Sequence, residues 1–402
     1  MQDSHRQLSI FLITVFTLLQ ITTLWLFGYT PYPDSEGYIL LAKECVSQGS
    51  LYPLASHLND YPFLWNIGAI NAVVMSLSLF HSITPLLVVY GLMKGMTAWM
   101  FYQLTETIAN KKTALAALLL YIAYPANYGE ATSTLSELPF MFFAMLALWL
   151  IITKRCYVLG GMTLAVANWF RPMGVIFLLA ILVYLFVDKR KSVRPLAGYA
   201  TMILVIGSLS YLRTGLFLYQ AKTGWMALAD YSTQHAAASM DIRENSEWNV
   251  SQKDDAWRSL FFKWLTEHPA EYMAQMPGKL VNTFVSDNVN MCTFIPRKAD
   301  KEYMYEEVSM SMLIHSFPRY SPVQWLTLLN LCYYYLLLLT ALAGIRYFRI
   351  RSYILPCSII LTGILILVLA GHGEARFHIP FMPFIMILSA FFIIKMKGFL
   401  RI

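Results

Sequence analysis

Charged residues are scarce in this chain of 402 residues, and the cysteine patterns that bind metal ions are missing. Only 13% of the residues are charged and 57% are hydrophobic, whereas about 25% of a typical soluble domain is charged. The five cysteines form no CxxC or related spacing. Cys45 and Cys292 can share a compartment and form a disulfide, but we expect isolated buried thiols. These absences argue against a soluble fold and against a cysteine-ligated metal.

Long apolar runs recur from Leu8 to Ile394. Each is close to the ~20 residues that a helix needs to cross ~30 Å of hydrocarbon. The first run, Leu8 to Gly28, has no small-residue cleavage site and is longer than a signal-peptide core, so we expect it to be retained. The sequence therefore predicts an all-α polytopic membrane protein with about ten crossings.

Short basic clusters between the apolar runs indicate the topology, because lysine and arginine favour cytoplasmic loops. The clusters are Lys111-Lys112, Lys154-Arg155, Lys189 to Arg194, Arg346 to Arg351 and Lys395 to Arg401. An odd number of crossings must separate an outer loop from an inner one. Pro62 to Phe80 is therefore predicted to be a re-entrant or interfacial helix in the first outer loop. Tyr157 to Val187 is predicted to form two short crossings broken at Pro172.

This topology divides the chain into three parts. Residues 1–221 are predicted to form an N-terminal transmembrane catalytic module, with the first outer loop at 29–84, and residues 322–402 to form C-terminal transmembrane helices. Residues 222–321 are predicted to form a small extracytoplasmic helical lobe, which contains two amphipathic helices broken near His268-Pro269. So small a lobe has a thin core, and we expect it to pack on the membrane domain.

Ionisable and polar side chains accumulate at the predicted outer surface, where each is costly beside hydrocarbon. Separate stretches of chain supply Asp34, Glu36, Tyr38, Asp60, Glu130, Glu137, Arg171, His372, Glu374 and Arg376, and Lys94 lies within a span near its outer end. Each of them alone can be a helix cap or a snorkelling side chain. Asp34, for example, competes with Ser35 for an N-cap position.

Arg171 is harder to explain in that way, because a guanidinium with apolar neighbours on both sides requires an anion. Carboxylates for acid–base chemistry, cations for a phosphate and access from the lipid together indicate transfer of a group from a lipid phosphate. The net charge of +7 does not indicate a nucleic-acid partner, because the basic residues lie in loop clusters between apolar runs.

Five stretches of this sequence resemble, in order, segments of glycosyltransferases of the GT-C fold. They are PDSEGYILLAKECVSQGSLYP, TLSELPFMFFAMLALWL, ANWFRPMGVIFLLA, FKWLTEHPAEYMAQMPGKLVNTF and GEARFHIPFMPFIMILSA. Each match is weak alone, but their common order strengthens the resemblance. It is to the broad group that includes protein O-mannosyltransferases and lipid A aminoarabinose transferases, and it covers most of the chain.

The resemblance implies an inverting enzyme that moves a sugar from a polyprenyl phosphate to a glycolipid, polysaccharide or protein acceptor. The expected location is the outer face of a bacterial inner membrane, in contact with membrane lipids. Asp34 matches the catalytic position and Glu36 is the second candidate base, since Ser35 separates acidic residues that are adjacent in many members. No cofactor is required, although a divalent metal ion shared by Asp34, Glu36 and Glu137 is an alternative.

The other site residues receive roles in substrate binding. Arg171, Arg376 and Lys94 are expected to neutralise the leaving phosphate, and Glu130 and Glu137 to hold the donor sugar or the acceptor. Tyr38, Asp60, His372 and Glu374 complete the predicted set. The competing hypothesis is a membrane transporter or lipid flippase, which predicts ionisable groups near the bilayer midplane and a repeat between the two halves.

Overall fold

The computed structural model of this chain describes residues 2–51, 66–188, 192–233, 236–295, 304–346, 350–371 and 373–399. Throughout these ranges the regular structure is helical, without a strand. Asp60, His372, residues 62–65 of the predicted re-entrant helix and the basic residues 189–191 lie outside the described residues.

The helices follow the apolar runs and end at the polar loops. They are α1 (Gln2–Phe27), α2 (Pro33–Ser47), α3 (Ile67–Phe80), α4 (Thr84–Ile108), α5 (Lys111–Ala123), α6 (Glu137–Leu148), α7 (Tyr157–Phe170), α8 (Gly174–Val187), α9 (Arg194–Thr214), α10 (Thr223–Ser232), α11 (Ala236–Glu244), α12 (Val250–Glu267), α13 (Pro269–Phe284), α14 (Met304–Glu307), α15 (Met310–Ser316), α16 (Pro322–Ile345), α17 (Ile350–Ala370) and α18 (Met382–Phe399). Short 3₁₀ segments occupy Pro125–Tyr128, Glu130–Thr132, Val289–Phe294 and Ala375–Phe381, and a π-helical turn at Trp149–Thr153 extends α6.

Five helices in the described part of the chain are long and apolar enough to cross a membrane. They are His5–Phe27, Arg194–Thr214, Pro322–Ile345, Ser352–Ala370 and Ala375–Met396. One further candidate is a pair, Pro125–Thr132 and Glu137–Thr153, bent by 111°. The protein is therefore a helical membrane protein. The number of about ten crossings stays a prediction, because α3, α7 and α8 have only 14 residues each, fewer than the ~20 that a full crossing needs.

Proline sets the two helix breaks that the sequence predicts. The helix α7 ends at Phe170 and α8 begins at Gly174, after Arg171 and Pro172. The side chain of Asn168 bridges this break, because its Oδ1 accepts the Gly174 N–H at 3.1 Å. In the lobe, α12 ends at Glu267 and Pro269 begins α13, a position where proline loses no helical hydrogen bond. Both predicted breaks are confirmed.

Antiparallel packing of α1 and α4 brings the functional helix ends together. A Cβ atom at Gly91 would lie 2.7 Å from Ile21, and one at Gly95 would lie 2.0 Å from Thr17, so the two helices run in opposite directions at close range. Beyond the end of α1, the Thr30 N–H donates to the Thr132 carbonyl at 2.8 Å. The end of α1 and the segment before α6 therefore meet at one end of the bundle.

The helices of the lobe pack on α3, on α7 and on the candidate span α17, where the Tyr272 hydroxyl donates to the Leu369 carbonyl at 2.5 Å. Ile67 at the start of α3 and Trp169 at the end of α7 share an apolar cluster with Ala229, Val250 and Trp257 of the lobe. The expected packing of the lobe on the membrane domain is confirmed. The exact boundaries at residues 221 and 321 stay predictions.

Candidate functional site

Two guanidiniums and three carboxylates meet where α2, α6, the end of α7 and the segment Ala375–Phe381 come together. Arg376 Nη1 lies 2.6 Å from Asp34 Oδ2 and 3.8 Å from Glu137 Oε1, and its Nε lies 2.5 Å from Glu374 Oε1. Arg171 Nη1 lies 2.7 Å from the same Glu137 oxygen. We call these five residues the guanidinium cluster. Arg171 and Arg376 thus share Glu137 as a common anionic partner.

The guanidinium cluster is closed at one side and open at the other. The side chains of Arg171 and Glu137 are 9% and 5% exposed, whereas Glu374 is 37% exposed. The buried part is held by further contacts: Arg171 Nη1 donates to Ser136 Oγ at 3.3 Å, and its guanidinium lies 5.3 Å from the Phe377 ring centre. Buried ions need such partners because water no longer solvates them. A ligand would therefore approach from the side of Glu374, Arg376 and Asp34.

The start of α2 leaves the Asp34 carboxylate available for the contact with Arg376. It begins at Pro33, and the hydroxyl of Ser35 accepts the Tyr32 N–H at 2.8 Å. Asp34 is therefore not the N-cap that the sequence left open, and it pairs with Arg376 instead. Glu137 is the first residue of α6, where the helix dipole favours a negative charge. Glu137 is therefore the residue at which α6 begins, and its carboxylate binds Arg171.

Glu36 does not belong to the guanidinium cluster. A helix turns ~100° per residue, so Glu36 and Asp34 point to nearly opposite sides of α2. Glu36 is exposed and lines a different cavity, together with Lys43 and His81. The helix fixes the two carboxylates on different faces, and the role of Glu36 as the second candidate base stays a prediction.

Tyr38 lies on the same face of α2 as Asp34, and its side chain is buried. Its hydroxyl accepts a hydrogen bond from Asn66 Nδ2 at 2.9 Å, and the same nitrogen donates to Ser136 Oγ at 3.1 Å. Asn66 therefore links Tyr38 to the residue that precedes Glu137. Sequence reasoning missed Asn66 and Ser136 as site residues, because a polar residue at a helix start carries no functional signal by itself.

Lys94 and Glu130 form a separate buried ion pair. Lys94 Nζ lies 2.8 Å from Glu130 Oε2 and donates to Asn127 Oδ1 at 3.0 Å. These contacts hold Lys94 outside the guanidinium cluster, and its expected role in binding phosphate stays a prediction. A cavity of about 10 Å³ beside this pair is lined by Lys94, Glu130 and Asp287. A second cavity, also about 10 Å³, is lined by Glu130, Glu137 and Arg376, so Glu130 lies between the pair and the guanidinium cluster.

Asp287 and His378 form a further buried pair that the predicted site did not include. His378 Nε2 lies 3.0 Å from Asp287 Oδ1, and its Nδ1 lies 3.0 Å from the Thr283 carbonyl oxygen. The Tyr124 hydroxyl and the Asn330 amide also donate to the Asp287 carboxylate. His378 lies two residues after Arg376 in the same 3₁₀ segment. The pair therefore fixes that segment against the end of α13.

The described residues contain no group of three or more histidine, cysteine, aspartate or glutamate side chains placed to hold a metal ion. Cys45 and Cys292 are buried, and neither forms a disulfide. Burial raises the pKa of the Cys45 thiol to about 11 and that of Cys292 to about 12, so both are protonated at neutral pH. The expectation of isolated buried thiols is confirmed for this pair.

No family model matches this chain, and no curated protein matches it.

Proposed function

We propose that this chain is an integral membrane glycosyltransferase of the GT-C type with about ten crossings. It moves a sugar from a polyprenyl phosphate to a glycolipid, polysaccharide or protein acceptor on the extracytoplasmic face of a bacterial inner membrane. One observation carries the proposal: a carboxylate, Asp34, lies 2.6 Å from a guanidinium, Arg376, at the open side of a cluster with a second guanidinium behind it. A base and a phosphate site therefore adjoin each other.

The two guanidiniums bind the phosphate of the donor. In the absence of a ligand, Asp34 and Glu137 neutralise Arg376 and Arg171. The phosphodiester of the donor carries one negative charge and accepts charge-assisted hydrogen bonds from a guanidinium as a carboxylate does, so it competes for these donors. Transfer of Arg376 from Asp34 to the phosphate releases the Asp34 carboxylate. Donor binding thus prepares the base.

The reaction is an inverting displacement at the anomeric carbon of the sugar. The acceptor oxygen attacks this carbon while the bond from the carbon to the phosphate oxygen breaks. The hydroxyl proton passes to Asp34, which acts as a general base. The electron pair of the broken bond remains on the polyprenyl phosphate, whose developing charge Arg376 and Arg171 stabilise. Because these guanidiniums supply positive charge, no step is assigned to a metal ion.

Residues behind the cluster hold the sugar in this proposal. Glu137, Ser136 and Asn66 present a carboxylate, a hydroxyl and an amide within one hydrogen-bonded group, the polar groups that recognise sugar hydroxyls. Lys94 and Glu130 neutralise each other, and we assign them no direct contact with the phosphate.

The test is an assay of the purified full chain in lipid vesicles with a panel of polyprenyl-phosphate sugars and acceptors, in which release of polyprenyl phosphate is measured. We expect turnover with one donor and loss of donor binding in Arg171→Ala. Arg171→Lys should not restore it fully, because a point charge does not replace a bidentate fork. Arg258→Ala, on the exposed face of the lobe, is the control and should behave as the parent. Unchanged donor binding in Arg171→Ala would refute the proposal that this cluster binds the donor phosphate.

The transporter or flippase is the second candidate function, and one observation favours it. Lys94, which is buried with Glu130, lies nearer the middle of α4, Thr84–Ile108, than the outer end where the sequence placed it, and buried ion pairs within membrane helices often lie on transport pathways. The vesicle assay distinguishes the two functions. A transporter moves a labelled sugar lipid between leaflets without cleaving it, whereas the transferase cleaves the bond between sugar and phosphate.

A further inference from the structure

A groove of about 680 Å³ lies between α2, the end of α3 and the start of α4, on the opposite side of α2 from Asp34. We call it the α2–α3 groove. Its lining includes Glu36, Lys43, Leu77, His81 and Ile83. None of these residues belongs to the guanidinium cluster, so the groove needs an explanation of its own.

One negative and one positive side chain lie along one wall of the groove. Glu36 and Lys43 are seven residues apart on α2, which places them on one face of the helix, separated by ~10 Å along its axis. No ion pair joins them within the described residues. The wall therefore presents a negative and a positive group to two different parts of one ligand.

His81 adds a second cation or hydrogen-bond donor from the other wall. It follows the last residue of α3 and has a φ of 53°. Glycine is the usual residue at this left-handed position after a helix, because a side chain there strains the backbone. A histidine at a strained position that also lines the groove suggests a role for its ring.

The remaining wall of the groove is apolar. Leu77 and Ile83 line it, and the neighbouring side chains Leu40, Leu79 and Phe80 are exposed on the outside of the protein. In a membrane protein such side chains contact acyl chains. A ligand in the groove therefore combines a charged headgroup with an apolar chain.

We propose that the α2–α3 groove binds one phospholipid whose headgroup carries a primary amine and a phosphate. Glu36 accepts hydrogen bonds from the ammonium, Lys43 and His81 donate to the phosphate, and Leu77 and Ile83 contact an acyl chain. This site goes beyond the proposed transferase function and does not depend on it.

The charges of the groove select this headgroup over other lipids. Glu36 repels a headgroup that is only anionic, since like charges in a site of low polarity are unfavourable. A quaternary ammonium has no N–H to donate, so a choline headgroup loses the hydrogen bond to Glu36. Of the ethanolamine, choline and glycerol headgroups, only ethanolamine has both a primary amine for Glu36 and a phosphate for Lys43 without repulsion or a lost hydrogen bond.

The test is native mass spectrometry of the full chain in detergent, titrated separately with phosphatidylethanolamine, phosphatidylcholine and phosphatidylglycerol. We expect one bound phosphatidylethanolamine, at about tenfold higher affinity than the other two, as the loss of one charged hydrogen bond requires. Soluble glycerophosphoethanolamine should bind much more weakly, because it lacks the acyl chains. Equal affinity for the three lipids would overturn the proposal.

Three variants relate that preference to the groove. Glu36→Gln should abolish the preference for phosphatidylethanolamine over phosphatidylglycerol, and Lys43→Ala should weaken the binding of both. His81→Gly should weaken binding while α3 ends as before, since glycine adopts the left-handed conformation freely. Asp255→Asn and Lys263→Ala, on the exposed face of α12, are the matched controls and should bind as the parent does. An unchanged preference in Glu36→Gln would refute the assignment.

Discussion

In the proposed transferase Asp34 is the base, and its contact with Arg376 supports this role. It lies at the open side of the guanidinium cluster and contacts Arg376, whose guanidinium is also the expected phosphate ligand. Base and leaving-group site are therefore linked through one side chain. Glu36 has no such link, because it faces the α2–α3 groove.

Replacing Asp34 by asparagine should remove turnover and leave the fold intact. Removal of a general base typically costs ~10²–10⁴-fold in rate, and asparagine keeps the size of the side chain. Sugar transfer and donor binding of Asp34→Asn are measured with purified protein in lipid. Glu36→Gln is the control and should transfer at the parental rate. The reverse outcome, with loss only in Glu36→Gln, would place the base on the other face of α2.

Lys279 is a buried lysine in the lobe whose environment costs stability. Its Nζ donates to Ser232 Oγ at 3.1 Å and lies 4.4 Å from the Tyr272 ring centre. Burial lowers the pKa of Lys279 from 10.5 to about 8, because the charged form is poorly solvated. Between these values the unfolded chain binds more protons than the folded protein. Stability from this group therefore rises with pH over that window.

The variant Lys279→Met should lack this rise of stability with pH. Methionine fills a similar volume without a charge, so its free energy of unfolding should exceed that of the parent at pH 7, and the difference should shrink as the pH increases from 8 to 10.5. Thermal unfolding in detergent at a series of pH values measures both curves. Lys263→Met, an exposed position on α12, is the control. If the free energy of unfolding changed with pH in the same way in Lys279→Met and in the parent, the inference that the buried charge of Lys279 lowers stability would be wrong.

At the scale of elements, the 3₁₀ segment Ala375–Phe381 positions the guanidinium of Arg376. His378 in this segment binds Asp287 and the Thr283 carbonyl oxygen, and both lie at the end of α13. Asp287 in turn accepts from Asn330 of α16. One buried carboxylate thus joins the end of the lobe, α16 and the 3₁₀ segment that carries Arg376.

Replacing Asp287 by asparagine should destabilise the protein by about 1–3 kcal/mol, the usual cost of leaving a buried hydrogen-bonding group without its partner. Chemical denaturation in detergent measures the change. Asp255→Asn serves as the comparison, because its carboxylate is exposed, and it should change stability by less than about 0.5 kcal/mol. Equal effects of the two substitutions would show that the Asp287–His378 contact contributes little.

For the whole molecule, the topology predicted from the basic clusters has the site residues outside and the basic loops inside, and Cys156 tests this prediction. It is exposed and follows the basic pair Lys154-Arg155. We expect that an impermeant maleimide added to intact cells leaves Cys156 unlabelled and labels it after permeabilisation. Asp255→Cys, in the lobe, should be labelled from outside. Labelling of Cys156 in intact cells would reverse the assignment of this loop.

The sequence by itself determined the properties that depend on local chemistry. Apolar runs without charges predict membrane helices, because an unpaired backbone group in hydrocarbon is costly and a helix satisfies every one. Pro172 and Pro269 predict the breaks between α7 and α8 and between α12 and α13, because proline cannot continue the preceding helix. These features require no knowledge of distant residues, and the structure has them where they were predicted.

Only the tertiary structure decided which charges meet. Asp34 and Arg376 lie at opposite ends of the chain, and their contact depends on the packing that brings α2 against the segment before α18. The same packing neutralises Lys94 with Glu130 and hides Asp287 beside His378. Glu36 is excluded from the cluster because the start of α2 fixes its face. Ion pairs act over a few ångströms, and a sequence does not specify distances between helices that close only when glycines such as Gly95 let their neighbours approach.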